Sequence, residues 1–198
     1  MNPRSTSELC WPLCSRRSSQ VPSDRSAALS VTHNSAGLTT TGLASRASIG
    51  STATAGRSLR DQLLKRIEGT TQQADRIASA IRKKDIGLNI ISDEMYTRLI
   101  GDSLAYAAKN QIYLRRSAIN GGTVLGDLIH EGTHALDFVS GFGKNTLKTV
   151  GQWEKRAYFY ERQFYRWNNE PVRFDSINDM IRSVKPDYPK WDQLFNPY

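Results

Sequence analysis

Residues 127–138, DLIHEGTHALDF, constrain this chain more than any other stretch. On an α-helix, residues four apart lie one turn apart on the same face. His130 and His134 would then present two imidazoles side by side to a single ion. Glu131 falls about 100° round the helix from His130. That puts a carboxylate beside the ion without making it a ligand. Val124, Leu125, Leu128, Ile129, Gly132, Ala135, Leu136 and Val139 share one broad arc. His130, His134, Asp127 and Asp137 share the other, with Glu131 at its margin. The pattern predicts an amphipathic helix from about Thr123 that ends before Ser140-Gly141, with both histidines on its polar side.

Imidazole pairs at this spacing suit Zn²⁺, whose catalytic sites use three protein ligands plus a water. His-Glu-x-x-His is the signature of zinc peptidases. In that reading Glu131 takes a proton from the water and passes it to the leaving amine. The competing reading is two solvated histidines beside a glutamate by accident. The chain has 3 histidines, and two of them stand in this motif, which favours the metal.

The rest of the chain divides at about residue 57. Residues 1–57 hold 19 Ser and Thr, no Lys, and Trp11 as the one aromatic. Such a stretch buries too little apolar surface to offset its ordering entropy, so it is expected to be a disordered leader. Its Arg-rich, acid-poor composition matches a transit peptide, and it equally resembles the Ser-rich leaders of bacterial type III secreted effectors. Secretion into a host cell is the expected address, with plastid targeting as the alternative. Cys10 and Cys14 both lie there, leaving the globular part without a disulfide framework. The formal net charge of +8 is spread along the chain, so no nucleic-acid partner is expected, and no apolar run approaches the length of a membrane span.

Residues 58–198 are expected to form one α+β domain. Ser58 reads as a helix N-cap, and apolar residues recur at helical spacing from Leu59 to Ile81, with a break at Gly69-Thr70-Thr71. Ile86, Leu88 and Ile90 alternate as a strand, and Ser92 or Asp93 caps a short helix that ends at Gly101. Leu104 to Arg115 reads as a hairpin turning at Lys109-Asn110. Asn120-Gly121-Gly122 reads as a flexible connection. A second long helix is expected over about Thr146–Trp167, stopped by Pro171, and Ser176 opens a short one over Ile177, Met180 and Ile181. Residues 186–198 are expected to pack irregularly on the surface.

The segment Glu154-Lys155-Arg156-Ala157 follows on the second long helix. It resembles the third-ligand segment of the glutamate zincins (gluzincins), where a Glu-x-x-Ala supplies the last metal ligand. The resemblance implies that Glu154 completes a site with His130 and His134. Ala157 would let the two helices approach. Glu161, two turns on, is a rival or a partner behind the ligands, and Asp137 suits a supporting role. A strand at Gln111–Arg115 is similar to the edge strand on which zincins hold an extended peptide. His-Glu-Gly-Thr-His-Ala-Leu-Asp also looks like the motif region of bacterial toxin and effector metalloproteases. The resemblance covers about residues 86–167. It implies a small zincin-like domain, with a short sheet and edge hairpin packed on the motif and ligand helices. The implied activity is zinc-dependent hydrolysis of a peptide bond in a protein, with a host protein as the expected substrate. The chain departs from the thermolysin pattern, with Tyr158 where an aspartate would stand. Tyr158, Tyr160, Tyr165 and Tyr188 are the candidate donors to an oxyanion, Tyr158 first among them. Two other readings remain: a zinc-containing domain that binds a partner without proteolysis, and a basic nucleic-acid-binding domain.

Overall fold

The computed structural model describes the backbone from Gly50 and the side chains from Leu59 to Tyr198. Cys10, Cys14, His33 and residues 1–49 of the expected leader lie outside the described residues. The described chain mixes helix and sheet. Helices α1 (Gly50–Ile67) and α2 (Gln72–Arg82) are separated where the sequence predicts, at Gly69 with φ +77°. The Thr71 hydroxyl caps α2 by accepting from the Ala74 amide at 3.2 Å. α1 starts at Gly50, so Ser58 is an interior helical position and not the N-cap. No proline interrupts residues 50–58. Once Leu63, Leu64 and Ile67 are buried and helical, extending the helix backwards costs little.

The main sheet has strands β1 (Gly87–Ile91), β2 (Ala105–Ala108) and β3 (Gln111–Arg115) in the order β1-β3-β2. β2 and β3 form the expected hairpin, turning at Lys109 with φ +53°. β3 is not the edge strand that the sequence suggested. It is central, parallel to β1 and antiparallel to β2. Leu88 pairs with Ile112 and Ile90 with Leu114. Both strands carry their large aliphatics at alternate positions, so placing them side by side buries one continuous apolar face. Parallel pairing needs a crossover. Helix α3 (Asp93–Leu99), capped by Ser92, and β2 supply it. The edges of the sheet are β1 and β2.

Helix α4 (Val124–Ser140) carries the motif. A 3-10 turn over Arg116–Asn120 replaces part of the expected flexible connection. Gly141, with φ +73°, ends α4 by accepting a left-handed conformation that a side chain would resist. The polar arc of α4 does not face solvent: Asp127, His130, Glu131, His134 and Asp137 are all buried. Helix α5 (Val150–Trp167) makes its most extensive helix contact with α4. Val139, expected in the core, is exposed at the end of α4. α5 begins four residues later than predicted, because residues 148–149 form strand β4 (Lys148–Thr149), which pairs with β5 (Leu194–Phe195). Thr149 and Gln152 fix the start reciprocally: Thr149 Oγ1 accepts from the Gln152 amide at 3.2 Å, and Gln152 Oε1 accepts from the Thr149 amide at 2.8 Å. α5 ends at Trp167, ahead of Pro171, and Ser176 caps α6 (Ile177–Val184) as expected.

Residues 186–198 are more ordered than predicted. Tyr188 and Trp191 are buried, and β5 ties the segment to the start of α5. The interior thus has two parts. One is aliphatic, built from α1, α2, the sheet and one side of α4. The other is aromatic, built around Tyr96, Tyr106, Trp153, Tyr158, Tyr188 and Trp191.

Candidate metal centre

Gly132 sits between the histidines of the motif, and the close approach of α2 requires it. A Cβ there would lie 2.7 Å from Ile77 Cγ2. With α2 against this side of α4, the histidines face α5. There Ala157, fully buried, keeps the helix surface low, as the sequence suggested.

Among the described residues, one group has metal-ligating atoms within 4.8 Å of one another: His130, His134 and Glu154. His130 Nε2 lies 3.4 Å from Glu154 Oε2, and His134 Nε2 lies 3.4 Å from Glu154 Oε1. Two tetrahedral ligands about 2.0–2.1 Å from a zinc-sized ion stand about 3.4 Å apart, so the spacing suits a shared ion. Glu154 is fully buried, with the His130 and His134 imidazoles against its two carboxylate oxygens. A carboxylate in that position costs a great deal unless a positive charge compensates it. Burial pushes the Glu154 carboxyl up, but positive charge on His134 and His130 pulls it down to about 2. A bound cation supplies the same compensation while leaving both imidazoles neutral. The group could hold a metal ion.

The surrounding residues orient the side chains of this group. Glu161 Oε2 lies 2.9 Å from His130 Nδ1. An ionised carboxylate only accepts, so Nδ1–H donates to it; when the imidazole is neutral, that leaves the Nε2 lone pair towards Glu154. Glu161 therefore stands behind His130 and outside the ligand group. Asp137 is also outside it: the Arg156 Nε–H donates to its carboxylate at 2.9 Å, joining α4 to α5. Burial pushes the Asp137 carboxyl up, and the Arg156 charge opposes that rise. Arg156 in turn lies over the rings of Phe142 and Tyr160, at 4.7 and 5.1 Å. Sequence reasoning missed Arg156; its place two residues after a candidate ligand carries no signal without the fold.

Glu131 is buried on the same turn as His130, with 1% of its surface exposed. Tyr158 is the tyrosine brought against the ligands: its ring centroid lies 4.4 Å from that of His130, edge to face. With Glu161, Arg162, Arg173, Phe174 and Met180 it also lines a small cleft beside the site. Of the other tyrosines named from sequence, Tyr165 packs on Gly126 near the start of α4, Tyr160 lies under Arg156, and Tyr188 packs on Trp191. No helix among the described residues is long and apolar enough to cross a membrane.

No protein-family model matches the chain, and no match was found among curated proteins or solved structures.

Proposed function

We propose that His130, His134 and Glu154 hold Zn²⁺ and that the protein is a zinc-dependent endopeptidase of the zincin type. The observation that carries this reading is Glu154. Its fully buried carboxylate is centred between the two motif imidazoles, one oxygen 3.4 Å from each Nε2. Zinc in such a site polarises a carbonyl and lowers the pKa of a bound water. The protein's own groups do the rest. Glu161 holds the His130 tautomer. Glu131 accepts a proton from the attacking water and delivers it to the nitrogen of the broken peptide bond. Tyr158 is the candidate donor to the oxygen that gains charge, from its place beside His130. The expected substrate is a protein, with a host protein preferred if residues 1–57 are a secretion leader.

One observation favours a second reading. His130, Glu131, His134 and Glu154 are each at most 3% exposed. A closed, fully liganded zinc is the mark of a structural site, so a metal that stabilises a partner-binding domain is the competing proposal. Glu131→Gln separates the two. The catalytic reading expects zinc to be retained and cleavage to fall by about 10² to 10⁴. The measurement compares new N-termini in a proteome exposed to wild-type and Glu131→Gln protein, with zinc content determined in parallel. Identical N-termini in both samples would leave only the structural reading.

A further inference from the structure

Residues 185–198 touch both helices that carry the metal group, and they do so at the same end. At the start of α5, the Val150 amide donates to Gln193 O at 3.1 Å and the Gly151 amide to Trp191 O at 2.8 Å. The first turn of a helix leaves such amides without intrahelical acceptors, so this segment caps α5 with its own backbone. β4 and β5 extend the attachment, pairing Lys148 with Phe195 and Thr149 with Leu194. Trp191, buried, lies so close over Gly151 that an added Cβ would overlap its indole.

The segment then reaches the end of α4. Tyr198 Oη lies 3.2 Å from Asp137 O, 3.3 Å from Phe138 O and 3.1 Å from Phe142 O. One hydroxyl hydrogen is shared among these carbonyls. The Tyr198 ring stacks on Phe138, with centroids 5.2 Å apart and planes 16° from parallel. The anchor points are not scattered. Asp137 and Phe138 lie about one helical turn past His134, and Val150 and Gly151 about one turn before Glu154; a turn rises about 5.4 Å. The segment bridges α4 and α5 immediately beside the pair of ligands that come from different helices.

We infer that residues 191–198 are a clasp that sets the spacing of α4 against α5, and with it the distance from His134 to Glu154, with Tyr198 as its positioning residue. This rests on the metal reading above. Metal ligands tolerate errors of only about 0.2 Å, so a small separation of the two helices weakens ion binding well before it unfolds the domain. Asp137 and Arg156 form a second tie between the same helices. Loss of Tyr198 alone therefore leaves a folded protein with a looser site.

The test uses the full chain and Zn²⁺, with affinity measured by competition against a chromogenic chelator and stability by thermal unfolding of the metal-free form. Tyr198→Ala should weaken zinc about tenfold, the lower end of what the loss of an orienting partner costs. Tyr198→Phe, which keeps the stacked ring, should weaken it by less. Ile86→Val, in the aliphatic core, serves as the control for lost stability and should leave zinc affinity within about twofold, since Ile86 is neither one of the proposed ligands nor one of the ties between α4 and α5. A Tyr198→Ala protein with wild-type zinc affinity, or one weakened no more than Ile86→Val, overturns the clasp alone. A wild-type protein that takes up no zinc overturns the metal reading together with the clasp.

Discussion

The two halves of the interior are built from different materials by different routes. The aliphatic half takes Leu63, Ile67, Ile77, Ile81, Ile86, Ile112, Leu114 and Leu128 from segments with plain helical or alternating periodicity. The aromatic half gathers Tyr96 from α3, Tyr106 from β2, Trp153 and Tyr158 from α5, Met180 and Val184 from α6, and Tyr188 and Trp191 from the segment beyond. Ring against ring contacts recur there: Phe142 on Trp153 at 5.1 Å, Tyr158 on Phe174 at 5.6 Å and Tyr188 on Trp191 at 5.9 Å. α4 contributes to the aliphatic half, while Trp153, beside Glu154 on α5, anchors the aromatic half. His130, His134 and Glu154 lie where the two meet. The aliphatic half can thus support the histidines while the aromatic half decides where Glu154 goes.

The sharpest way to break this comparison is Trp153→Ala. Trp153 is fully buried among aromatics, and removing so large a side chain should cost about 3–5 kcal/mol in urea unfolding. A loss well under 1 kcal/mol would mean that the aromatic half is a surface decoration and not a second core.

Metal removal probes the seam itself. At a free zinc concentration of 100 times Kd, binding to the native state alone adds about 2.7 kcal/mol of stability. A chelator should take that away from the wild-type protein and change Glu154→Ala little. Equal chelator effects on both proteins would show that Glu154 is not a ligand. Elemental analysis after dialysis gives the independent count of zinc per protein, which should stay near wild type for Glu161→Ala and Asp137→Ala.

A smaller effect is expected on the aliphatic side. Gly132→Ala drives a methyl towards Ile77, and overpacking of this kind costs about 1–3 kcal/mol. Adding Ile77→Val should return part of that loss, because the two residues are in contact and their effects couple. Strictly additive losses in the double variant would mean that α2 does not press on the motif helix at this point.

Much of the local structure was legible in the sequence because its causes are local. Gly69, Ser92, Lys109-Asn110, Gly141 and Ser176 each mark a boundary through their own backbone or side-chain preferences. The pairing of His130 with His134 follows from the helical repeat, and Glu154 could be proposed from its Glu-x-x-Ala setting. Only the tertiary structure decided the rest, since those outcomes depend on which surfaces meet. The polar arc of α4 reads as a solvated face until α5 covers it. β3 reads as an edge until β1, more than twenty residues away, pairs beside it. Residues 186–198 read as an irregular surface coil, because nothing in their own order says that Trp191 will seat on Gly151 or that Tyr198 will reach the carbonyls at the end of α4. Periodicity reports which face of an element is apolar. It carries no information about which distant segment that face will bury, and it is this choice that brings Glu154 to the histidines.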